Sequence, residues 1–433
     1  MAFTKILPAG ISTTGLVTVD SLSVGDVTLT GDTDNLIINT DTVTVRPTLD
    51  LNFARDKRLD SKITFTRDSV GTYVDANGLI QTAVNNIPRF DHDPTTGESL
   101  GLLIEESRTN LIANSNSPTS ATGGTRTDNS QVAPDGTTTA GQLVSNSSTG
   151  YHSVTYNVTS LPSGNKFAWS IFVKLGTSNY TKVVLYDNAQ TSPGSGVSRF
   201  DLSTGTKETG TGKIVAYPNG WYRLTIYGER TFTPASCSLF VFFHNGTTVS
   251  FAGDGTSTFY YWGSQLEDNV EFETSHIPTS GSTVTRAADN AVIKGTNFSS
   301  WYNQSEGTWF GEVKKAYPTT QRLLEVGDSA TNNYSVSIRP GPTDTFFARI
   351  SSSASSVSHT YPAKFAVADS VTDIQGCVNG TLATLVSTGS SPTDNKLVIG
   401  GVMTGTSSCN AISHLSYYNK RLPNAQLQGL TAQ

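Results

Sequence analysis

The chain has 433 residues, 36% of them hydrophobic and only 15% charged, with a net charge of -6 and a pI near 5.5. Its length exceeds what one hydrophobic core fills and predicts two or three domains. The acidic balance, with no run among the 29 Lys and Arg, excludes a phosphate-neutralising surface and with it nucleic acid as a partner.

No stretch approaches the roughly 20 apolar residues that cross a bilayer, so no membrane insertion is expected. The opening Met1-Ala-Phe-Thr-Lys5 lacks a basic region followed by an apolar core, which predicts a soluble chain without a secretion signal. With so few charges, the polar surface must come from hydroxyl and amide side chains, which suit strand faces and turns. Cys237, Cys377 and Cys409 are odd in number and dispersed. They read as reduced, small buried hydrophobes, not as a disulfide framework or a thiolate metal site.

Residues 1–47 carry very short alternating runs: Leu16-Val-Thr-Val19, Leu22-Ser-Val24, Val27-Thr-Leu29, Leu36-Ile-Ile38 and Val43-Thr-Val45. Gly25-Asp26, Gly31-Asp32 and Asp34-Asn35 stand between them as turns. Strands this short bury too little to stand alone, so the segment is expected to be an arm that packs on copies of itself or on another protein.

Residues 48–111 hold the densest charge. Ile63-Thr-Phe65-Thr alternates, and Tyr73-Val74 facing Leu79-Ile80 across Asp75-Ala-Asn77-Gly78 predicts a β-hairpin with the glycine at positive φ. Pro88-Arg-Phe90-Asp-His92-Asp93 and Gly101-Leu-Leu-Ile104-Glu105-Glu106-Ser-Arg108-Thr-Asn110-Leu111 come next. From residue 50 to 111 the stretch resembles a module of tailed-bacteriophage virion proteins, especially the tail fibres of marine and cyanobacterial phages. That resemblance implies a virion protein in which this segment connects the arm to the larger domains C-terminal to it.

Residues 112–292 alternate strands with long polar loops, among them Phe167-Ala-Trp169-Ser-Ile-Phe172-Val-Lys174, Lys182-Val-Val-Leu-Tyr186 and Leu239-Phe-Val-Phe-Phe243. The spacing suggests a sandwich or jelly roll. The phrases Gly220-Trp221-Tyr222-Arg223, Tyr261-Trp262-Gly263-Ser-Gln265-Leu266-Glu267 and Thr285-Arg286-Ala-Ala-Asp289 resemble carbohydrate-binding-type jelly rolls of phage fibres. Residues 293–433 read as a second sandwich, and the strand and short helix from Leu415 to Leu430 resemble the close of a concanavalin-like or laminin-G-like lectin fold. The expected fold class is therefore all-β: a short-stranded, oligomerising N-terminal arm followed by two antiparallel β-sandwich, lectin-like domains.

Glycan hydrolysis needs two carboxylates held about 5–10 Å apart. The candidate pairs are Glu105 with Glu106, Asp91 with Asp93, Glu271 with Glu273, and Glu312 with Glu325. Adjacent Glu105 and Glu106 face opposite ways in a strand, and pairing with Arg89, Arg108 or Arg286 is the simpler reading. No catalytic residue and no metal ligand is assigned. Asp91-His92-Asp93 reads as a polar turn, no cofactor is expected, and calcium would have only Asp187, Asp254 and Asp268 to consider. Sugar recognition uses an aromatic face flanked by hydrogen-bonding groups. Tyr186, Trp221, Tyr222, Trp301 and Tyr334 are the candidates, whereas Trp169, Trp262 and Trp309 read as core.

Three functions compete: a fibre-like appendage that attaches to host cell-surface glycans, a capsid decoration or connector protein with a purely structural role, and, less favoured, a polysaccharide depolymerase. The phage resemblance implies a homotrimer located in the virion, on tail or capsid surface, and assembled in the host cytoplasm. Residues 1–47 would dock on other virion proteins, and the sandwiches would meet host surface polysaccharide.

Overall fold

The computed structural model describes residues 21–24, 27–32, 35–38, 46–161, 166–188, 196–229, 236–315, 319–328, 333–349, 353–370, 373–387, 393–404 and 410–433. It divides into two compact units, Met1–Pro47 and Thr48–Gln433. In the first, Ser21–Val24, Val27–Asp32 and Asn35–Ile38 form an antiparallel sheet in which Leu22 stands opposite Leu29, and Leu29 opposite Ile38. The strands expected at 16–19 and 43–45 lie outside the described residues.

The second unit is all antiparallel β and contains two sandwiches. In the first sandwich, one sheet runs in the order Ser120–Thr122, Ser153–Val158, Cys237–His244, Lys182–Asp187, Val197–Asp201, Thr206–Gly210. Its partner runs Gly124–Gln131, Ala140–Ser145, Thr258–Asp268, Lys166–Leu175, Trp221–Glu229, Lys213–Tyr217. Neighbours in each sheet are mostly distant in sequence, the crossed connectivity of a jelly roll. Period-2 alternation selects the core. Phe167, Trp169, Ile171 and Val173 from one sheet meet Val183, Leu185, Leu239, Val241 and Phe243 from the other, all at 0% exposure.

The second sandwich joins a seven-stranded sheet, Ser353–Ser358 through Leu324–Asp328 and Lys396–Ile399 to Asn290–Lys294 and Thr64–Thr66, to a nine-stranded sheet built around Glu306–Val313 and Asn410–Tyr418. The segment 48–111, expected as a separate connecting module, is woven into both. Leu49–Asn52 and Ser99–Ile104 pair with Asn410–Tyr418, and Thr64–Thr66 pairs with Asn290–Lys294. Leu49, Leu51, Phe53, Leu102 and Ile104 accordingly sit in the same core as Trp309 and Leu415. Local patterning cannot show a strand pairing with a partner more than 200 residues away, so these strands read as a charged linker. The hairpin does form: Val74 stands opposite Ile80, and Gly78 takes φ 76°, which a side chain would strain. Cys237 and Cys377 are buried, whereas Cys409 lies outside the described residues.

At the junction of the two sandwiches, Arg67, Arg89, Glu105, Arg286 and Asp289 are each 4% exposed or less. Asp289 accepts Arg67 Nη1 at 3.0 Å on one oxygen and Arg89 Nη2 at 2.5 Å on the other. Glu105 Oε2 accepts Arg89 Nη1 at 2.7 Å and Arg286 Nη1 at 2.6 Å. Backbone groups complete the shell: Ser275 N donates to Glu105 Oε1, Glu105 N to Asp289, and Arg67 to the carbonyls of Ser69, Ala83 and Val84. Burial alone would push the Glu105 carboxyl up, but Arg286, Arg89 and the Ser275 hydrogen bonds more than offset it and hold the group far below the usual carboxylate range.

Asp289→Ala strands two buried guanidiniums and is expected to cost about 3–5 kcal/mol in urea unfolding of the full chain. Glu105 stabilises fully above its ordinary pKa of 4.5, and that contribution is lost as pH falls below it. Glu105→Gln is therefore expected to lower the urea midpoint near neutral pH and to flatten its acid limb, as a pH series of unfolding curves will read.

Candidate functional site

The predicted site aromatics do not converge. Trp221, at 1% exposure, lies on the outer face of its sheet with Phe172 and Trp262, but Ile80 of the hairpin packs over that face. Its Nε1 donates to Val132 O at 3.1 Å. Tyr222 points the other way and packs at the rim of the first core. Trp301, 8% exposed, stands edge-on to Trp309 at 5.8 Å and donates to Asn297 O at 2.6 Å within the second core. Tyr334 belongs to strand Asn333–Pro340, and its side chain lies outside the described set.

Tyr186 is different. It sits on the outer face of the other sheet of the first sandwich, directly across from Phe240, and the rings stack at 5.9 Å with a 27° angle. Phe240 and Phe242, two residues apart on one strand, stack at 5.2 Å and 9°. Tyr151, 51% exposed, continues the row against Phe242 at 5.4 Å. Four rings thus form one continuous strip, in which Phe242, at 9% exposure, is buried between Tyr151 and Phe240. The run Leu239-Phe-Val-Phe-Phe243 sends Leu239, Val241 and Phe243 inward and must turn Phe240 and Phe242 outward. A strand apolar on both faces was the sequence signal for this strip, and Phe240 and Phe242 were not among the expected site residues.

Polar groups border the strip. Lys182 stands across from His244, two strand positions beyond the pair Val184 and Phe242. Glu208 takes Lys182 on one oxygen and Arg199 Nε on the other, the latter at 2.6 Å, while Lys182 also lies 3.8 Å from Asp201. Burial, then Arg199 and Lys182, push the His244 imidazole below its ordinary value, so it is neutral at pH 7. On the far side Ser238 Oγ donates to Asn157 Oδ1 at 2.8 Å. Two cations and two carboxylates balance, so the border is rich in hydrogen-bonding groups without excess charge. An apolar aromatic strip bordered in this way suits the C–H face and hydroxyl rim of a neutral sugar.

The carboxylate pairs are held in other arrangements. Asp93 accepts Thr95 N and Thr96 N in a turn, and Asp91 accepts Val74 N. Glu271 pairs with Lys166, and Glu273 with Lys213 at 3.0 Å and Tyr227 at 2.6 Å. Glu325 accepts Arg322 Nε and Met403 N, and Glu312 accepts Ser413 Oγ. Asp254 is saturated by donors from Ser145, Asn179, Thr256 and Ser257. Among the described residues no group of three His, Cys, Asp or Glu is placed to hold a metal ion.

No protein-family model matches the chain, and no curated protein matches it. Among solved structures it is similar to the CBM40 of a Ruminococcus gnavus IT-sialidase, bound to alpha2,3 sialyllactose, with 13% identity over 31% of this chain and 88% of that chain and a TM-score of 0.28. It is also similar to the receptor-binding domain of botulinum neurotoxin mosaic serotype C/D, with 12% identity over 32% of this chain and 38% of that one and a TM-score of 0.24. Domains LG4-5 of the mouse laminin alpha1 chain align over 72% of this chain and 95% of theirs, at 8% identity and a TM-score of 0.22. These are distant likenesses, and the functional reading rests on the surface geometry.

Because Trp221 is sealed under the hairpin, Trp221→Ala is expected to cost about 3–5 kcal/mol in urea unfolding. Tyr186→Ala, on the outer strip, is expected to cost under about 1 kcal/mol by the same measurement.

Proposed function

We propose that this chain is a non-enzymatic, glycan-binding appendage of a tailed-phage particle, which attaches to host surface polysaccharide through the outer strip Tyr151, Tyr186, Phe240 and Phe242. The strip carries the reading. Its rings lie side by side, three on one sheet and Tyr151 on the short strand Thr149–Tyr151 beside it, their border is polar and charge-balanced, and the acidic groups considered for hydrolysis are engaged in turns and ion pairs. Weak binding at one such strip becomes firm attachment when several copies act together.

The phage assignment is supported by the residue 50–111 resemblance. Residues 1–47, with strands of four to six residues in a three-stranded sheet, suit an arm that trimerises and docks on other virion proteins. A connector without a ligand is the second reading, favoured by the burial of Trp221 and Trp301.

Full-length protein is expected to bind neutral glycans on an array, and Tyr186→Ala with Phe240→Ser is expected to weaken that binding at least about tenfold, roughly 1.4 kcal/mol, with the thermal midpoint little changed. Absence of binding to every array polysaccharide and to host cells would leave the connector reading. Light scattering is expected to give three times the 46.1 kDa chain mass; a stable monomer removes the trimer.

A further inference from the structure

Beneath the hairpin that seals Trp221 lies a cavity of about 90 Å³, bounded by the hairpin, by Asp91 and His92, by the outer face of the first sandwich and by residues 273–276. Three contacts close it: Ile80 packs against Phe172, Thr72 Oγ1 donates to His276 O at 2.5 Å, and Ile80 N donates to Pro134 O at 3.0 Å.

Two histidines from distant parts of the chain line it. His276 is 3% exposed, and neither ring nitrogen has a hydrogen-bond partner among the described residues. Its ring rests on Trp262 at 4.6 Å. Gly263, in the left-handed region at φ 64°, leaves it room, since a Cβ there would stand 3.2 Å from His276 Cε1. His92, 5% exposed, bonds Val74 O at 3.0 Å through Nδ1 and has no partner at Nε2 among the described residues. A protein interior rarely leaves three ring nitrogens unsatisfied around one cavity, because each forgoes the hydrogen bond it had in water.

We propose that this cavity binds a neutral polyhydroxylated ligand, either a short free polyol or the rim of one sugar residue. A hydroxyl both donates and accepts, which is what a neutral imidazole with one N–H and one bare nitrogen requires. Burial, followed by Arg223, pushes the His276 ring down to about 3, so it stays neutral, and burial holds the Tyr217 hydroxyl up at about 12. Phe172 and Tyr217, edge to face at 5.0 Å, offer the apolar wall that carbon-bound hydrogens need. The lining carboxylates Asp91, Glu105 and Glu273 are matched by the cations Lys213, Arg223 and Lys315, so the cavity offers no excess charge to draw in an ion of either sign. At about 30 Å³ for each water-sized group, the cavity takes about three such groups, the hydroxylated end of a small polyol or the rim of one sugar residue.

The site is independent of the outer strip, and the test separates them. Saturation-transfer NMR on the full chain is read with glycerol, erythritol and a methyl glycoside as probes. At least one is expected to give signal at millimolar concentration, and the polyol and glycoside arms tell which source fits. His276→Phe keeps the ring on Trp262 and removes both nitrogens. It is expected to cut that signal at least about tenfold while raising the thermal midpoint, and Asp91→Asn is expected to weaken binding with the fold retained. Tyr186→Ala with Phe240→Ser is expected to weaken glycan-array binding at least about tenfold and leave the polyol signal intact. Equal signal from wild type and His276→Phe, or none from any probe, would overturn the proposal.

Discussion

Asp289 receives Arg67 and Arg89 on its two oxygens, and Glu105 receives Arg89 and Arg286, so remote stretches of chain must arrive together before any of these charges is satisfied. Burying five charges yields little net stability over an apolar core, but a missing partner leaves an uncompensated charge away from water, and that makes the cluster an assembly requirement. Three guanidiniums against two carboxylates leave one excess positive charge. Burial and then the neighbouring Arg89 accordingly lower the Arg67 pKa. The backbone carbonyls around Arg67 absorb part of that excess.

The cluster settles what happens to the two outer faces of the first sandwich. By fixing segment 67–105 at the junction, it holds the hairpin Gly71–Ala83 over the face that bears Phe172, Trp221 and Trp262. That face becomes interior, with one small polar cavity left inside it. On the opposite sheet Tyr186, Phe240 and Phe242 form a strip beside charged residues, and Tyr151 of the neighbouring short strand stays half-exposed. Both faces carry aromatics in similar number, and coverage alone separates packing from recognition.

The charge-poor composition fits this division. Recognition of a neutral hydroxylated surface needs rings and amides more than charge, and many of the ions present are spent on one another: Glu208 with Lys182 and Arg199, Glu273 with Lys213, and the junction cluster internally. Glu105, a candidate for hydrolysis on its sequence position, is structural for the same reason.

Alternation along single strands was enough to read Trp169, Trp262 and Trp309 as core and to place a glycine turn between Tyr73 and Leu79, because period 2 and turn geometry act over a few residues. The same local rule made Trp221 look available and hid Phe240 and Phe242 in an apolar run. Whether an outward side chain meets water depends on what lies above it, and for Trp221 that is a hairpin some 140 residues earlier in the chain. Strand class, individual inward residues and local turns were thus legible in the chain alone. That residues 49–104 complete the second sandwich, and which aromatic face stays open, emerged with the packed fold, since both depend on strand pairings and buried charges between segments hundreds of residues apart.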